Sequence, residues 1–385
     1  MAEQPDWGKI RNEFPTLSRK IYLNSCSLGL LSNSCKEALH RFIDSWDNHG
    51  AAAWYTDWMA EIASVRQQFA SLINASPSEI AILPNISSTL AAISSSLDLG
   101  PGNQVVTTAL DFPTVAHHFL AKERLGVKTT IIQSADRIKI DSDQFERAIS
   151  PDTALVVTSH VYYSSGYAQD VGPIVDMAHQ NGALAMIDDY QSTGQMPINV
   201  KELDIDILVS GGMKWLLGGP GIAFMYVKED LVENLSPTVT GWFANRDQFD
   251  FNPNEIVFRD DAGRFETGTP PVASIFAGAE GLRFVNEIGP QAIRERTKAI
   301  TGRLVGRLKD EGFKLRAPDD LDHHASITMV EMKDPALAVQ ELAKRDIIVD
   351  NRPGAVRFSP YFYNSFDDID TAVSALCEIR EALEL

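Results

Sequence analysis

The chain has 385 residues, 44% of them hydrophobic, which suffices for more than one core and is too long for one small domain. Its 34 basic and 52 acidic residues give a formal charge of −18, which argues against nucleic acid or an anionic membrane surface as partner. Three cysteines, Cys26, Cys35 and Cys377, are too few for a disulfide framework and show no metal-ligand spacing, so a reducing compartment and no metal are expected.

The first residues lack the basic and apolar regions of a signal peptide, and no run approaches ~18 uninterrupted apolar residues. The expected location is cytoplasmic. Helical periodicity begins at 33–49 and 57–74, where Ile62, Val65, Phe69 and Leu72 share one face. From about 80 to 227 short apolar, β-branched runs alternate with helical stretches. The runs are 80–83, 104–108, 128–132, 154–161, 183–187, 206–209 and 222–227. The helical stretches lie near 86–97, 114–124, 142–149 and 171–180. This alternation predicts an α/β fold whose sheet is mostly parallel and covered on both faces. After a polar-aromatic stretch at 241–268, helices are expected at 272–288 and 290–310. A smaller α/β unit follows, with strands near 326–331 and 355–358. The reading is an N-terminal arm and helix (1–50), a large domain (51–270) and a small C-terminal domain with linking helices (271–385).

Five motifs carry chemistry. Lys214 follows an apolar strand and is flanked by the glycines 211–212 and 218–219, with Met213 and Trp215 beside it. Glycine lets a ligand approach the backbone, and an amine in apolar surroundings loses its proton more readily. Asp188 ends another apolar strand, at the sheet edge where ligands bind in open α/β folds. A carboxylate there can pair with a protonated ring nitrogen; a helix cap or ion pair is the plainer role open to Asp188 or to Asp189. Gln191 can donate to a ring oxygen. Ser87 and Ser88 open a helix directly after a strand, which suits either phosphate or simple capping. Phe112 follows a third strand and can stack on a flat ring or fill the core. Arg357, in the run 355–358, suits bidentate capture of a carboxylate or a structural ion pair.

Taken together and in this order, the motifs resemble the class V aminotransferase family of fold-type-I pyridoxal-phosphate enzymes. The resemblance runs from Tyr22–Gly29 to Val356–Asn364 and is strongest toward the branch of kynureninases, selenocysteine lyases and isopenicillin epimerase-like enzymes. Asn24–Gly29, Phe112–Thr114, Gly241–Phe243, Gly268–Pro271 and Tyr363–Ser365 carry the kynureninase likeness. The resemblance implies pyridoxal 5′-phosphate as cofactor, held by Lys214 as a Schiff base, with Lys214 also shuttling the Cα proton. It implies Asp188 at the ring nitrogen, Gln191 at the ring oxygen, Phe112 on one ring face, Ser87 and Ser88 at the phosphate, and Arg357 at the substrate carboxylate. Asn24 and Cys26 are further candidates for the substrate wall. It also implies a homodimer, with Thr269 reaching the partner's phosphate.

The pattern departs from kynureninase at three places. Met213 replaces a tyrosine before the lysine, Ala92 replaces a histidine, and Gln191 replaces the histidine of the aspartate motif. The loop 346–354 lacks the mobile cysteine of the desulfurases. The likeness to the side-chain-cleaving branch implies a C–S or C–C lyase of cysteine- or kynureninase-like type, and the departures imply a substrate smaller than kynurenine. An aminotransferase is the alternative and an epimerase the third choice. No second carboxylate-binding arginine stands out, with Arg259, Arg264 and Arg352 as candidates. His160, at a strand end near the expected cofactor, is a further candidate, and Trp54 and Trp58 could line the pocket entrance or pack internally.

Overall fold

The computed structural model describes residues 5–383. The N-terminal arm contributes β1 (Ile21–Tyr22). Seven strands then build the large sheet: β2 (Ile80–Leu83), β3 (Gln104–Thr108), β4 (Lys128–Ile132), β5 (Thr153–Ser159), β6 (Leu184–Asp188), β7 (Ile207–Gly211) and β8 (Ala223–Val227). Their order is β2-β8-β7-β6-β5-β3-β4. β3, β4, β5, β6 and β7 pair in parallel, whereas β8 runs antiparallel to both β7 and β2. Reversing β8 restores the common direction in β2. The carboxyl ends of β2, β3, β5, β6 and β7 therefore converge on one edge, and the loops leaving them build the site.

These strands form because their residues are apolar on both faces: β2, β7 and β8 are buried throughout. Two hydrophobic clusters cover the two faces. One contains Val106, Val156, Ile187, Leu208 and Phe224, and the other Val105, Leu155, Met186, Val209 and Met225. Alternate residues of one strand thus feed opposite clusters.

The small unit carries β9 (Leu315–Arg316), β10 (Thr328–Glu331), β11 (Ile347–Ile348), β12 (Asp350–Arg352) and β13 (Ala355–Phe358). Four of these form an antiparallel sheet in the order β12-β13-β10-β9. Helices Pro290–Asp310 and Phe366–Leu383 supply much of its core, through Ile300, Leu304, Ile369 and Leu376. β1 pairs in parallel with β11, and Leu23 enters this same core. Arg11 fixes the arm further by donating to the Tyr363 carbonyl at 2.9 Å and to Asp368 at 2.7 Å. The arm accordingly contacts the small unit, while its Phe14 and Leu17 join the larger core cluster.

Helix Asn33–His49 starts where the Ser32 hydroxyl accepts the Cys35 amide and ends at Gly50, whose φ of 51° is open to glycine. It leans on helix Val272–Ile288, with Cys35 buried at the contact. The helix expected at 57–74 is Met59–Leu72, preceded by a π-helical turn at Trp54–Trp58. No helix among the described residues is long and apolar enough to cross a membrane.

Candidate active site

A cavity of about 530 Å³ opens at the carboxyl edge of the large sheet, within the size range of cofactor and ligand sites. Lys214, Asp188, Gln191, Phe112, Ser87, Cys26 and Arg357 all line it. The sequence expectation thus brings together side chains from positions 26 to 357 in one pocket.

Lys214 leaves the end of β7 and is buried. Its ammonium lies 4.1 Å from the centre of the Tyr190 ring and 5.8 Å from that of Phe112. Burial pulls its pKa down to about 8; Cys26 and Asp188 oppose the shift, whereas Arg357 and Arg352 add to it. The Asn24–Gly29 segment crosses this backbone: the Gly29 amide donates to the Met213 carbonyl at 2.8 Å. A Cβ at Gly29 would collide with the Lys214 carbonyl oxygen, which accounts for the glycine.

Asp188 ends β6, buried, and accepts its own loop's Tyr190 amide at 3.0 Å. Burial raises its pKa to about 6, against the Tyr190 amide and Lys214, which lower it. Asp189 points away from the pocket and is fully engaged: the Ser192 and Thr193 hydroxyls donate to it, and His160 Nδ1 lies 2.8 Å from it. The structure therefore separates the two carboxylates, leaving Asp188 for the pocket and Asp189 for the scaffold. His160 goes with Asp189. Ser159, Val161 and Tyr163 line the cavity, and the intervening His160 lines a separate depression beside His323.

The Gln191 amide is oriented from both ends. Trp215 Nε1 donates to its oxygen at 3.0 Å, and its nitrogen donates to the Cys26 carbonyl at 3.2 Å. One N–H remains for a ring oxygen. Phe112 caps helix Pro113–Leu120 and meets Tyr163 edge to face at 5.2 Å. Beneath it, Asp111 is buried and accepts the Ser159 amide at 2.6 Å and the Thr108 amide at 2.8 Å, tying the ends of β3 and β5 together. Ser87 faces the cavity at the start of helix Ile86–Ser94. Ser88 does not: its amide and hydroxyl both donate to Asn85 Oδ1, so it serves the helix cap.

Arg357 is 1% exposed and already held by Asp350 at 2.7 Å, by Ser27 Oγ at 2.8 Å and by the Tyr163 carbonyl at 3.2 Å. Arg357 is thus ion-paired and also lines the cavity. Arg352 pairs with the same Asp350 at 2.8 Å, so two guanidiniums share one carboxylate and the cavity wall there keeps one net positive charge. Arg259 is bound to Asp261, and Arg264 to the carbonyls of Val232, Leu235 and Arg259, so neither faces the cavity. Asn24 bridges to Ser359 and its side-chain oxygen is buried without a partner. Thr269 is exposed and does not line its own chain's cavity. Trp54 and Trp58 stack edge to face at 5.0 Å and pack against Phe243 and Phe42 rather than lining the cavity.

A model of aminotransferase class V matches residues 48–371. The chain belongs to the class V aminotransferase family. It is 34% identical over 373 residues to a Bacillus subtilis (strain 168) protein described as an uncharacterized aminotransferase, YcbU, covering 96% of each. It is 27% identical over 391 residues to a Bacillus anthracis kynureninase, covering 97% of this chain and 91% of the relative. Its fold matches the cysteine desulfurase of Thermococcus onnurineus NA1 with a TM-score of 0.88 at 23% identity, over 100% of both chains. The chain is thus an enzyme of a pyridoxal-phosphate family. The cavity fits that group: it offers a buried amine of depressed pKa, a buried carboxylate, a helix start and an aromatic wall.

Sequence reasoning missed Tyr190, Tyr163, Ser27 and Asp350. Tyr190 lies under Lys214, and a Cβ on Gly211 would strike its ring. Its signal was present, since it sits between Asp188 and Gln191.

If Arg357 takes the substrate carboxylate, Arg357→Lys should raise KM for an amino acid by about tenfold or more, because a point charge replaces a fork. The same change should matter much less for the corresponding amine without a carboxylate. Equal losses on both would reject the assignment.

Proposed function

We propose that this enzyme breaks a bond at Cβ of a small amino acid, releasing the side chain as a thiol, a sulfinate or a carbon fragment. The observation that carries the reading is Lys214 and Asp188 facing one cavity with Arg357 at its wall. When bound, pyridoxal phosphate supplies an electron sink for charge developing at Cα. Lys214 holds the cofactor and moves the Cα proton, its depressed pKa making it able to take and return one near neutrality. Asp188 stabilises positive charge on the ring nitrogen. Gln191 donates to the ring oxygen, Phe112 and Tyr190 flank the ring, and Ser87 with its helix start receives the phosphate, Ser88 bracing that turn through Asn85. Arg357 fixes the carboxylate, while Asn24 holds the Cys26 segment against the substrate. The kynureninase relatives, which span nearly the whole chain, support side-chain cleavage, whereas the 34% identical relative described as an aminotransferase supports transamination. The absence of cysteine from 346–354 supports release of any sulfur without a covalent relay.

Transamination is the second reading, favoured by Arg352, which offers a keto acid a further guanidinium at the cavity. The two separate in one assay of amino acids with and without a keto acid. Turnover in the absence of keto acid, with release of the side chain, is expected. An absolute requirement for the keto acid would reject the lyase.

The working form in this proposal is a homodimer in which Thr269 serves the partner's cavity. Support comes from Thr269 lying outside its own cavity and from exposed aromatics, Tyr55 at 74% and Phe251 at 72%. Sedimentation should give twice the chain mass; a fully active monomer would refute it.

A further inference from the structure

Beside the cavity lies a second pocket of about 260 Å³, lined by Arg137, Arg316 and Arg352 and sharing Tyr163 and Arg352 with the cavity itself. Three guanidiniums at one pocket are unusual in a chain of net charge −18. The sheet register explains the arrangement. Met329 of β10 stands opposite both Arg357 of β13 and Arg316 of β9, and Asp350 of β12 stands opposite Arg357. Directly opposed residues project to the same face of a sheet. One face of the small sheet therefore presents Asp350, Arg357 and Arg316 in a row, with Arg352 two residues beyond Asp350.

The row is unevenly neutralised. Asp350 serves Arg352 and Arg357. Arg316 is 5% exposed, and its Nε is buried with no hydrogen-bond partner. Among the described residues no carboxylate pairs with Arg316 or with the exposed Arg137. The acidic group that acts on Arg316, Glu331, is bound to Lys314 at 2.6 Å, and Asp136 is spent on the amides of Ile138 and Lys139. Burial, then the Arg137 charge, lowers the Arg316 pKa from its ordinary value. A buried guanidinium without a partner is costly, and an oxyanion is the group that satisfies its fork.

Resting on the proposed function, we infer that this pocket binds a second anionic group on the substrate's own side chain, a carboxylate, sulfinate or sulfonate. Arg357 takes the α-carboxylate and Arg316, Arg137 and Arg352 take the distal anion. The substrate class is thereby narrowed to amino acids with an acidic side chain. The shared wall of Tyr163 and Arg352 is what ties the pocket to the same molecule rather than to a separate ion.

The test is calorimetric titration of the cofactor-loaded protein with L-aspartate, L-glutamate and L-2-aminoadipate against L-glutamine and L-norleucine. At least one acid should bind about tenfold tighter than its neutral counterpart, the worth of one charge-assisted contact. In Arg316→Met and Arg137→Asn that ratio should collapse toward one. The Asn variant suits the Arg137 backbone, whose φ is 65°, and alters an exposed side chain, so it guards against misfolding at Arg316. No preference for any acid, or a preference that survives both substitutions, overturns the inference. So does inorganic phosphate that binds through Arg316 without competing with the acids, which would mark an independent anion site. Failure to take up cofactor would sink the proposed function alone. Glutarate, which forms no bond to the cofactor, would still read the arginine pocket through both of its carboxylates.

Discussion

Lys214→Ala is expected to abolish covalent attachment of the cofactor and to lower turnover by about 10²–10⁴-fold or more, the range for loss of a positioned proton-transfer group. Two functions vanish with one amine. The side chain is the attachment point, and it is the basic nitrogen lying against the Phe112 and Tyr190 rings. Alanine removes a buried ammonium, and the Asp188 carboxyl that loses its favourable field can take up a proton instead, so the fold should persist and the melting temperature should change little. Borohydride reduction of the wild type followed by peptide mapping checks the site directly. A cofactor tag on any lysine other than Lys214 would overturn the assignment.

The same amine sets a pH dependence. A lysine attacks a carbonyl as the neutral amine, and burial brings the Lys214 pKa to about 8 from 10.5. The neutral fraction rises as pH rises, about tenfold per pH unit below the pKa, and levels off above it. Attachment of added cofactor to the cofactor-free protein should therefore accelerate from pH 6 to 8 and flatten by pH 9. A rate that keeps climbing to pH 10 would indicate an ordinary solvated lysine.

Much of this site is legible in the sequence because the chemistry follows strands. Phe112, Asp188 and Lys214 each sit just past a run of apolar residues, and such runs are readable when a strand is buried on both faces. Strand bounds shift by a residue or two, as at 154–161, observed as Thr153–Ser159. Other features depend on tertiary register. The reversed direction of β8 leaves no mark on its composition. Arg316 comes from a two-residue strand, too short to show periodicity, and Asp350 reaches Arg357 only through the pairing of β12 with β13. His160 shows the same limit from the other side. Its distance from the strand end is right, yet the pleat turns it to Asp189 while its neighbours Ser159 and Val161 face the cavity. Ser88 illustrates a local competition: a helix start offers free amides, but Asn85 reaches one first.

The second large effect belongs to Asp188. Its carboxylate is buried, has the Tyr190 amide at 3.0 Å and feels repulsion from Asp111 and Asp189. Burial dominates and lifts its pKa to about 6, so above that pH it is an anion in a place that disfavours one. A cationic ring nitrogen would satisfy it, which is the condition for withdrawing charge from Cα. Asp188→Asn keeps the shape and can still accept the Tyr190 amide through its side-chain oxygen, but it removes the charge. Losing one partner of a buried pair costs about 3–5 kcal/mol, so turnover should fall by about 10²–10⁴-fold. Lys214 remains, so the protein should still bind cofactor covalently and stay coloured. Asp189→Asn is the contrasting variant. It disturbs the contacts to His160, Ser192 and Thr193 and should lower the melting temperature with a smaller effect on turnover per folded molecule. Measured side by side, turnover of Asp188→Asn within threefold of wild type would remove this carboxylate from the chemistry, and a greater catalytic loss at Asp189 would exchange the two roles.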